Sequence, residues 1–274
     1  MIRKINWFQK EIPAAYMAEN ELMLGPLYGN IAATRWHYRL GALRSGKIYA
    51  LIRDHQVCGL AGRFNDGNCF VHCADPDHFR HFDSLLNDLD FHTLWMLNGQ
   101  LSDAIRMKQT LGLEGRIIEH FMMVQDENRP ISRDSVEIVN IQGETGNHEY
   151  IEAACGLIHA GFDYNPQRDL WVQRLSERTT AERYYLGRVG GNFVAQAHIQ
   201  GWTPHYGHIG GVTSSPEHRG KGYAKIVTGQ LCEYVHSCNR KPTLTVKANN
   251  LPAIRLYRGL GFTAVGRVTV LETS

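Results

Sequence analysis

The stretch "PEHRGKGYAK", residues 216–225, sets three cations and two glycines in ten residues with almost no apolar side chains. Its flanks give it a place in a fold. "HIGGVTSS" (208–215) reads as a short β-strand running into polar turn residues, and "KIVTGQLCEYV" (225–235) reads as an amphipathic helix. Tyr223, Val227, Leu231 and Tyr234 are spaced 4, 4 and 3 along one face of that helix. A basic, glycine-rich loop therefore joins the end of a strand to the start of a helix.

Glycine has no Cβ, so it takes positive φ and lets the backbone approach a ligand closely. A helix N-terminus adds unpaired N–H groups and about half a positive charge. With Arg219 and Lys221 these parts form a phosphate cradle, and Gly220 and Gly222 suit a diphosphate. An exposed basic turn before a helix is the blander reading of the same residues. Two common cradles are excluded. A Walker loop needs glycine at 215 and Ser or Thr at 222, where Ser215 and Gly222 stand. The dinucleotide fingerprint needs glycine or alanine at 225, where Lys225 stands.

Composition narrows the class of molecule. The 274 residues carry a formal net charge of only +2, with the cations scattered, so general nucleic-acid binding has little support. No apolar run approaches the roughly 20 residues of a membrane span, and "MIRKINWFQKEIP" (1–13) does not read as a secretory signal. The six cysteines match neither a disulfide scaffold nor a zinc pattern, which suits reduced thiols in the cytoplasm and no metal.

The chain also repeats itself. "AIRLYRGLGF" (253–262) and "AIRMKQTLGL" (104–113) share five of ten positions at an offset of 149. "YYLGR" (184–188) and "YALIR" (49–53) match at an offset of 135, each opening a hairpin with Gly190-Gly191-Asn192 or Asp54-His55 as its turn. "PTLTVK" (242–247) and "HTLWML" (92–97) are similar strand-like runs just before the matching helices. Three matches in one order imply two copies of one α/β unit. We expect domains over 1–125 and 134–274, joined through "DENRPISRD" (126–134). The first copy has "VHCADPDHFRHFDSLL" (71–86) where the second has its basic loop, so acids replace the glycines and cations.

"RGKGYA" (219–224) fits Arg/Gln-x-x-Gly-x-Gly/Ala, and residues 134–274 thereby resemble the GNAT superfamily of acyl-CoA-dependent N-acyltransferases. "NNLPAIRLYRGLGF" (249–262) is similar to that superfamily's second motif. The first half resembles a degenerate GNAT unit through the internal repeat only. The resemblance implies an α/β (α+β) fold of two tandem units. Each would be a mixed, mostly antiparallel sheet flanked by helices and splayed between its fourth and fifth strands. In the second copy those strands would be about 206–213 and 242–248.

The same resemblance assigns a site. Arg219, Gly220, Lys221, Gly222, Tyr223 and Ala224 would bind the pyrophosphate of coenzyme A. Backbone N–H groups around Val212, Thr213 and Ser214 would hold pantetheine and polarise the thioester carbonyl. Asn250, Ala253 and Tyr257 would follow the cofactor along the last helix. Tyr257 occupies the position of the general acid for the leaving thiolate, although an aromatic packing on the sheet would look the same. His208, eleven residues before Arg219, is a candidate base, with His198, His205 and Glu217 weaker ones. "GFDYNPQRDLW" (161–171) suits a small polar or zwitterionic amine. The resulting expectation is an N-acetyltransferase using acetyl-CoA as cosubstrate on a small-molecule amine, without metal, membrane or nucleic-acid partners. Homo-oligomerisation stays open. Transfer of a longer acyl group, transfer to a protein amine, and a non-catalytic acyl-CoA sensor are the rivals.

Overall fold

The structure, a computed structural model, describes residues 1–6, 9–25, 27, 46–132, 135–144, 147–162 and 183–273. Its elements begin with β1 (Ile2–Ile5), α1 (Ala14–Glu19), β2 (Gly46–Arg53), β3 (Gln56–Phe64) and β4 (Asn68–Cys73). After a 3₁₀ turn (Pro76–Phe82) come α2 (Asp83–Asn87), β5 (Thr93–Leu97), α3 (Leu101–Thr110) and β6 (Gly115–Gln125). Then follow β7 (Glu137–Asn140), α4 (His148–Gly161), β8 (Tyr184–Val189), β9 (Asn192–Trp202) and β10 (Tyr206–Ser214). The last are α5 (Tyr223–Ser237), β11 (Lys241–Lys247), α6 (Leu251–Gly259) and β12 (Phe262–Thr273).

Both hairpin turns read from the sequence are present. Asp54 and His55 have φ of 48° and 64°, and Gly190 and Gly191 have φ of 55° and 83°. Positive φ at both central residues makes a type I′ turn, whose twist suits the flanking strands. Asn192 lies outside its turn and opens β9, paired with Val189.

The chain forms two units that are interleaved in sequence. One comprises Met1–Met123, Thr245–Ile254 and Ala264–Ser274; the other comprises Val124–Leu244 and Arg255–Thr263.

The first unit has strand order β1-β2-β3-β4-β5-β12-β6. β4 and β5 run parallel, while β1–β2, β2–β3, β3–β4 and β5–β12 are antiparallel. β12 lies between β5 and β6 here, and its residues 268–271 are buried on both faces. Val268 and Val270 join one core with Leu24, Leu27, Phe64 and Phe70, while Leu271 joins another with Phe79, Phe82 and Met107. Alternating side chains of one strand reach opposite faces, so β12 serves two cores at once.

The second unit has order β11-β10-β9-β8-β7, with only the β10–β11 pair parallel. α4 packs Ile151, Ala154, Leu157 and Ile158 with Tyr184 and Leu186 of β8. α5 packs on β8, β9 and β10, with Val227, Leu231 and Val235 fully buried. No helix among the described residues is long and apolar enough to cross a membrane.

Candidate active site

β10 pairs with β11 from Tyr206↔Lys241 to Ile209↔Leu244 and no further, although both strands continue. Residues 210–214 are thus left without a β11 partner in the ladder, which is the splay the family resemblance implied. The first unit differs: β4 and β5 pair from Asn68↔Thr93 to His72↔Leu97, the last residue of β5. There the end of β4 is also closed. The Ala74 N–H donates to the Tyr16 hydroxyl at 2.9 Å, and that hydroxyl is hydrogen-bonded to Nδ1 of His72 at 2.7 Å. Burial lowers the His72 pKa to about 4, so its ring is neutral at physiological pH.

The unpaired end of β10 carries a bulge. Gly210 pairs with His198 and Thr213 with Gln196, so three steps on β10 oppose two on β9. Gly211 supplies the φ of 62° this needs, and a Cβ there would overlap Cε1 and Nδ1 of His198. Val212 and Ser214 are half-buried. Thr213 is buried, its Oγ1 has no hydrogen-bond partner among the described residues, and its methyl lies where a Cβ on Gly161 would go. The last residue of α4 therefore closes over the end of β10.

Beyond Ser214, the Ser215 N–H donates to Val194 O at 2.9 Å, and Ser215 Oγ bonds His218 Nδ1 at 2.8 Å. The chain then makes a short 3₁₀ turn, Pro216–His218, and enters the glycine loop. Arg219, Gly220, Lys221 and Gly222 are all exposed. Gly220 and Gly222 have φ of 77° and 85°, and a Cβ on either would meet nothing within 4 Å among the described residues. Gly222 is the N-cap of α5, which no side chain caps. The first helical bond runs from Ile226 N–H to Gly222 O, so the N–H groups of Tyr223, Ala224 and Lys225 open α5 ahead of it. A 15-residue helix that no N-cap side chain caps, entered through two positive-φ glycines, fits a diphosphate. Arg219 takes a different part from the one expected of its charge. Its Nη2 donates to Ala160 O at 2.6 Å, tying the loop to the last turn of α4.

α6 carries the other expected residues. Asn250 Oδ1 accepts from the Ala253 N–H at 3.2 Å, a helix N-cap, and Gly261 at φ 96° follows the helix. Tyr257 is 6% exposed, and its ring meets Phe262 edge-on at 5.9 Å. Its hydroxyl makes no hydrogen bond among the described residues. Burial, and secondarily the Cys232 thiol, push its pKa well above the usual phenol value, so it stays protonated at neutral pH. Lys225 Nζ lies 3.3 Å from where a Cβ on Gly259 would sit, which brings the end of α6 beside the first turn of α5.

His208 is 2% exposed and its Nδ1 bonds Thr243 Oγ1 at 3.1 Å. Burial lowers its pKa to about 4. His198 is fully buried, His205 is exposed, and Glu217 is exposed on the 3₁₀ turn. Of "GFDYNPQRDLW", only Gly161 and Phe162 are described; the rest of the expected acceptor segment lies outside the described residues. The fit of Gly211 against His198 and of Gly161 against Thr213 was not read from the sequence. The paired glycines at 210 and 211 before Val212 were the available signal for a bulge.

Residues 151–262 match the family model described as the acetyltransferase (GNAT) family. A GNAT domain is thus recognised at residues 151–262. The fold likeness extends over the entire chain. A Drosophila protein known from an X-ray structure is 13% identical, with a TM-score of 0.74, 99% of this chain and 98% of that one being covered. A tandem GNAT protein from the clavulanic acid biosynthesis pathway is 15% identical, with a TM-score of 0.59 and coverage of 100% and 98%. A GCN5-related N-acetyltransferase from Sphaerobacter thermophilus is 16% identical, with a TM-score of 0.60 and coverage of 98% and 94%. At such identities the likeness is one of fold alone. No curated protein matches the chain in sequence. The GNAT family gives the general activity, acyl transfer, and its members generally bind acetyl-CoA.

Proposed function

We propose that this GNAT domain transfers an acetyl group from acetyl-CoA to the amine of a small-molecule acceptor. The observation that carries the reading is the uncapped start of α5 behind Gly220 and Gly222, reached directly from the bulged, unpaired end of β10. One part suits a diphosphate and the other a thioester, and the chain places them about ten residues apart.

In this reading the N–H groups of Tyr223 and Ala224, with the charge of Lys221, hold the pyrophosphate. Arg219 holds the loop in place through Ala160. The backbone N–H groups of Val212, Thr213 and Ser214 polarise the thioester carbonyl, and such preorganised donors stabilise the developing oxyanion. The acceptor nitrogen forms the new C–N bond, the C–S bond breaks, and the thiolate takes the proton of the Tyr257 hydroxyl. The nitrogen gives its own proton to solvent. We do not route that proton through His208, although its neutral ring has the form a base needs. Its burial and its bond to Thr243 leave it poorly placed to meet an incoming amine.

The first unit is read as binding no coenzyme A. Asp75 and Asp77 stand where the cradle would need glycine and cations, and Tyr16 occupies the Ala74 N–H. None of the six cysteines is in a disulfide, which supports a reducing, cytoplasmic setting.

The test is a panel of small amines with purified protein and acetyl-CoA, followed by thiol release and by mass of the product. Butyryl-CoA, octanoyl-CoA and a lysine-containing peptide serve as comparators. Preference for a longer acyl group or for the peptide would move the assignment within the family. Coenzyme A binding without turnover on any amine would leave a sensor.

A further inference from the structure

The bulge that opens the end of β10 is backed by a buried aromatic stack. His198 stacks on Tyr184 with centroids 4.7 Å apart and planes 15° apart. Tyr184 is held in turn, its hydroxyl donating to Gln196 Oε1 at 2.9 Å. All three side chains are fully buried, and close-packed interiors leave such a ring little room to move. Gly211 crosses against this ring. A Cβ on Gly211 would overlap two of its atoms, Cε1 and Nδ1. The ladder gives the same location, because His198 faces Gly210 in the last pair before the extra residue.

We propose that His198 is a positioning residue: its ring, fixed by Tyr184, sets the bulge at Gly211 and so aims the backbone N–H groups of Val212–Ser214. The proposal deepens the acyl-transfer reading and rests on it for what those N–H groups contact. A strand that followed its neighbour in register would point alternate N–H groups back at β9. The bulge breaks that alternation next to the unpaired end, where an oxyanion would need its donors. Donors of this kind act through their fixed position, and a displacement of about 1 Å at a reacting centre can cost about 100-fold in rate.

The experiment is a double-mutant cycle with two readouts. Gly211→Ala, His198→Ala and the double variant are compared with the unmutated protein. The first readout is the amide NMR signals of Val212, Thr213 and Ser214; the second is kcat, with the coenzyme A dissociation constant measured alongside. Gly211→Ala should shift those amides and lower kcat by about 100-fold, with coenzyme A affinity kept because residues 219–224 are untouched. In the double variant the new methyl occupies the space the ring leaves, so the amide signals and part of kcat should return. A methyl penalised only by its positive φ would gain nothing from removing His198. His198→Phe keeps a ring against Gly211 and should leave amides and kcat near those of the unmutated protein, which also covers the case in which His198→Ala does not fold. Additive effects in the cycle, or displaced amides in His198→Phe, would overturn the proposal. Absence of coenzyme A binding and of thiol release in the unmutated protein would defeat the acyl-transfer reading instead, while the amide cycle still decides whether His198 sets the bulge.

Discussion

Arg219 donates through Nη2 to the carbonyl of Ala160 at 2.6 Å, so the cation that opens the glycine loop is bound to the last turn of another helix. A guanidinium at a helix C-terminus meets the negative end of the helix dipole. Its neighbour Lys221 is exposed and makes no such bond among the described residues. The two cations should therefore act on coenzyme A in different ways. Lys221→Ala should weaken binding by a charge effect that fades as salt is raised. Arg219→Ala should weaken it by loosening the loop, a loss that persists at high salt. Calorimetry at two ionic strengths separates them, and equal salt dependence would show that Arg219 also works through its charge.

Tyr257→Phe keeps the ring that meets Phe262 and removes only the hydroxyl. Turnover should fall by about 10²–10⁴-fold, the usual contribution of a general acid, with coenzyme A affinity unchanged. Burial raises the Tyr257 pKa above its ordinary value of 10.0, so ionisation of this phenol should not limit the rate below about pH 10. A basic limb at lower pH that vanishes in the phenylalanine variant would contradict that.

Thr213→Val tests a hydroxyl that is buried without a partner. Removing it breaks no hydrogen bond among the described residues, so the melting temperature should hold or rise. If the hydroxyl meets the thioester, the KM for acetyl-CoA should rise in the same variant. A fall in melting temperature with unchanged kinetics would assign the hydroxyl a structural partner.

Acid should destabilise the protein through three buried histidines. Burial lowers the pKa values of His72, His120 and His208 from 6.5 to about 4. Between those limits the unfolded chain binds protons that the folded chain refuses. The stability they represent is fully present above pH 6.5 and is lost as pH falls toward 4. Each site should add about 1.4 kcal/mol per pH unit to the slope. Urea titrations at several pH values measure that slope, and His208→Gln should flatten it by one such increment. An unchanged slope would mean that His208 is protonated in the fold.

Val270 is 1% exposed in a core that also contains Ile5, Tyr16 and Leu24. Val270→Asp buries a carboxylate without a partner and should cost several kcal/mol. The damage should appear far away in sequence, as faster hydrogen exchange in β2, β3 and β4. Loss of protection confined to residues near 270 would contradict the shared core.

Much of this was legible because local chemistry fixed it. Asp54-His55 and Gly190-Gly191 name their turns, since few residues accept positive φ in succession. Asn250 and Gly261 bracket α6 by the usual grammar of helix ends. The glycines at 220 and 222 announced a close backbone approach, and their φ values agree. What stayed hidden depends on residues distant in sequence. Nothing in "RVTVLET" says that its partner is "TLWML", because strands of either unit share the same alternating pattern. Arg219 reads as a free cation until Ala160 is placed beside it. His208 reads as a base until its surroundings are seen to exclude water.

The place of β12 has a consequence in time. Gly99 accepts a hydrogen bond from Thr269, a residue 170 positions later. A ribosome adds about 5–20 residues per second, so roughly ten to thirty seconds separate the synthesis of the two. Throughout that interval β5 has no β12 beside it, and an unpaired strand edge invites pairing with another chain. The nascent first unit therefore depends for its completion on residues made long after its own first strands, and its exposure to chaperones and to misassembly is set by the speed of translation rather than by its own folding rate.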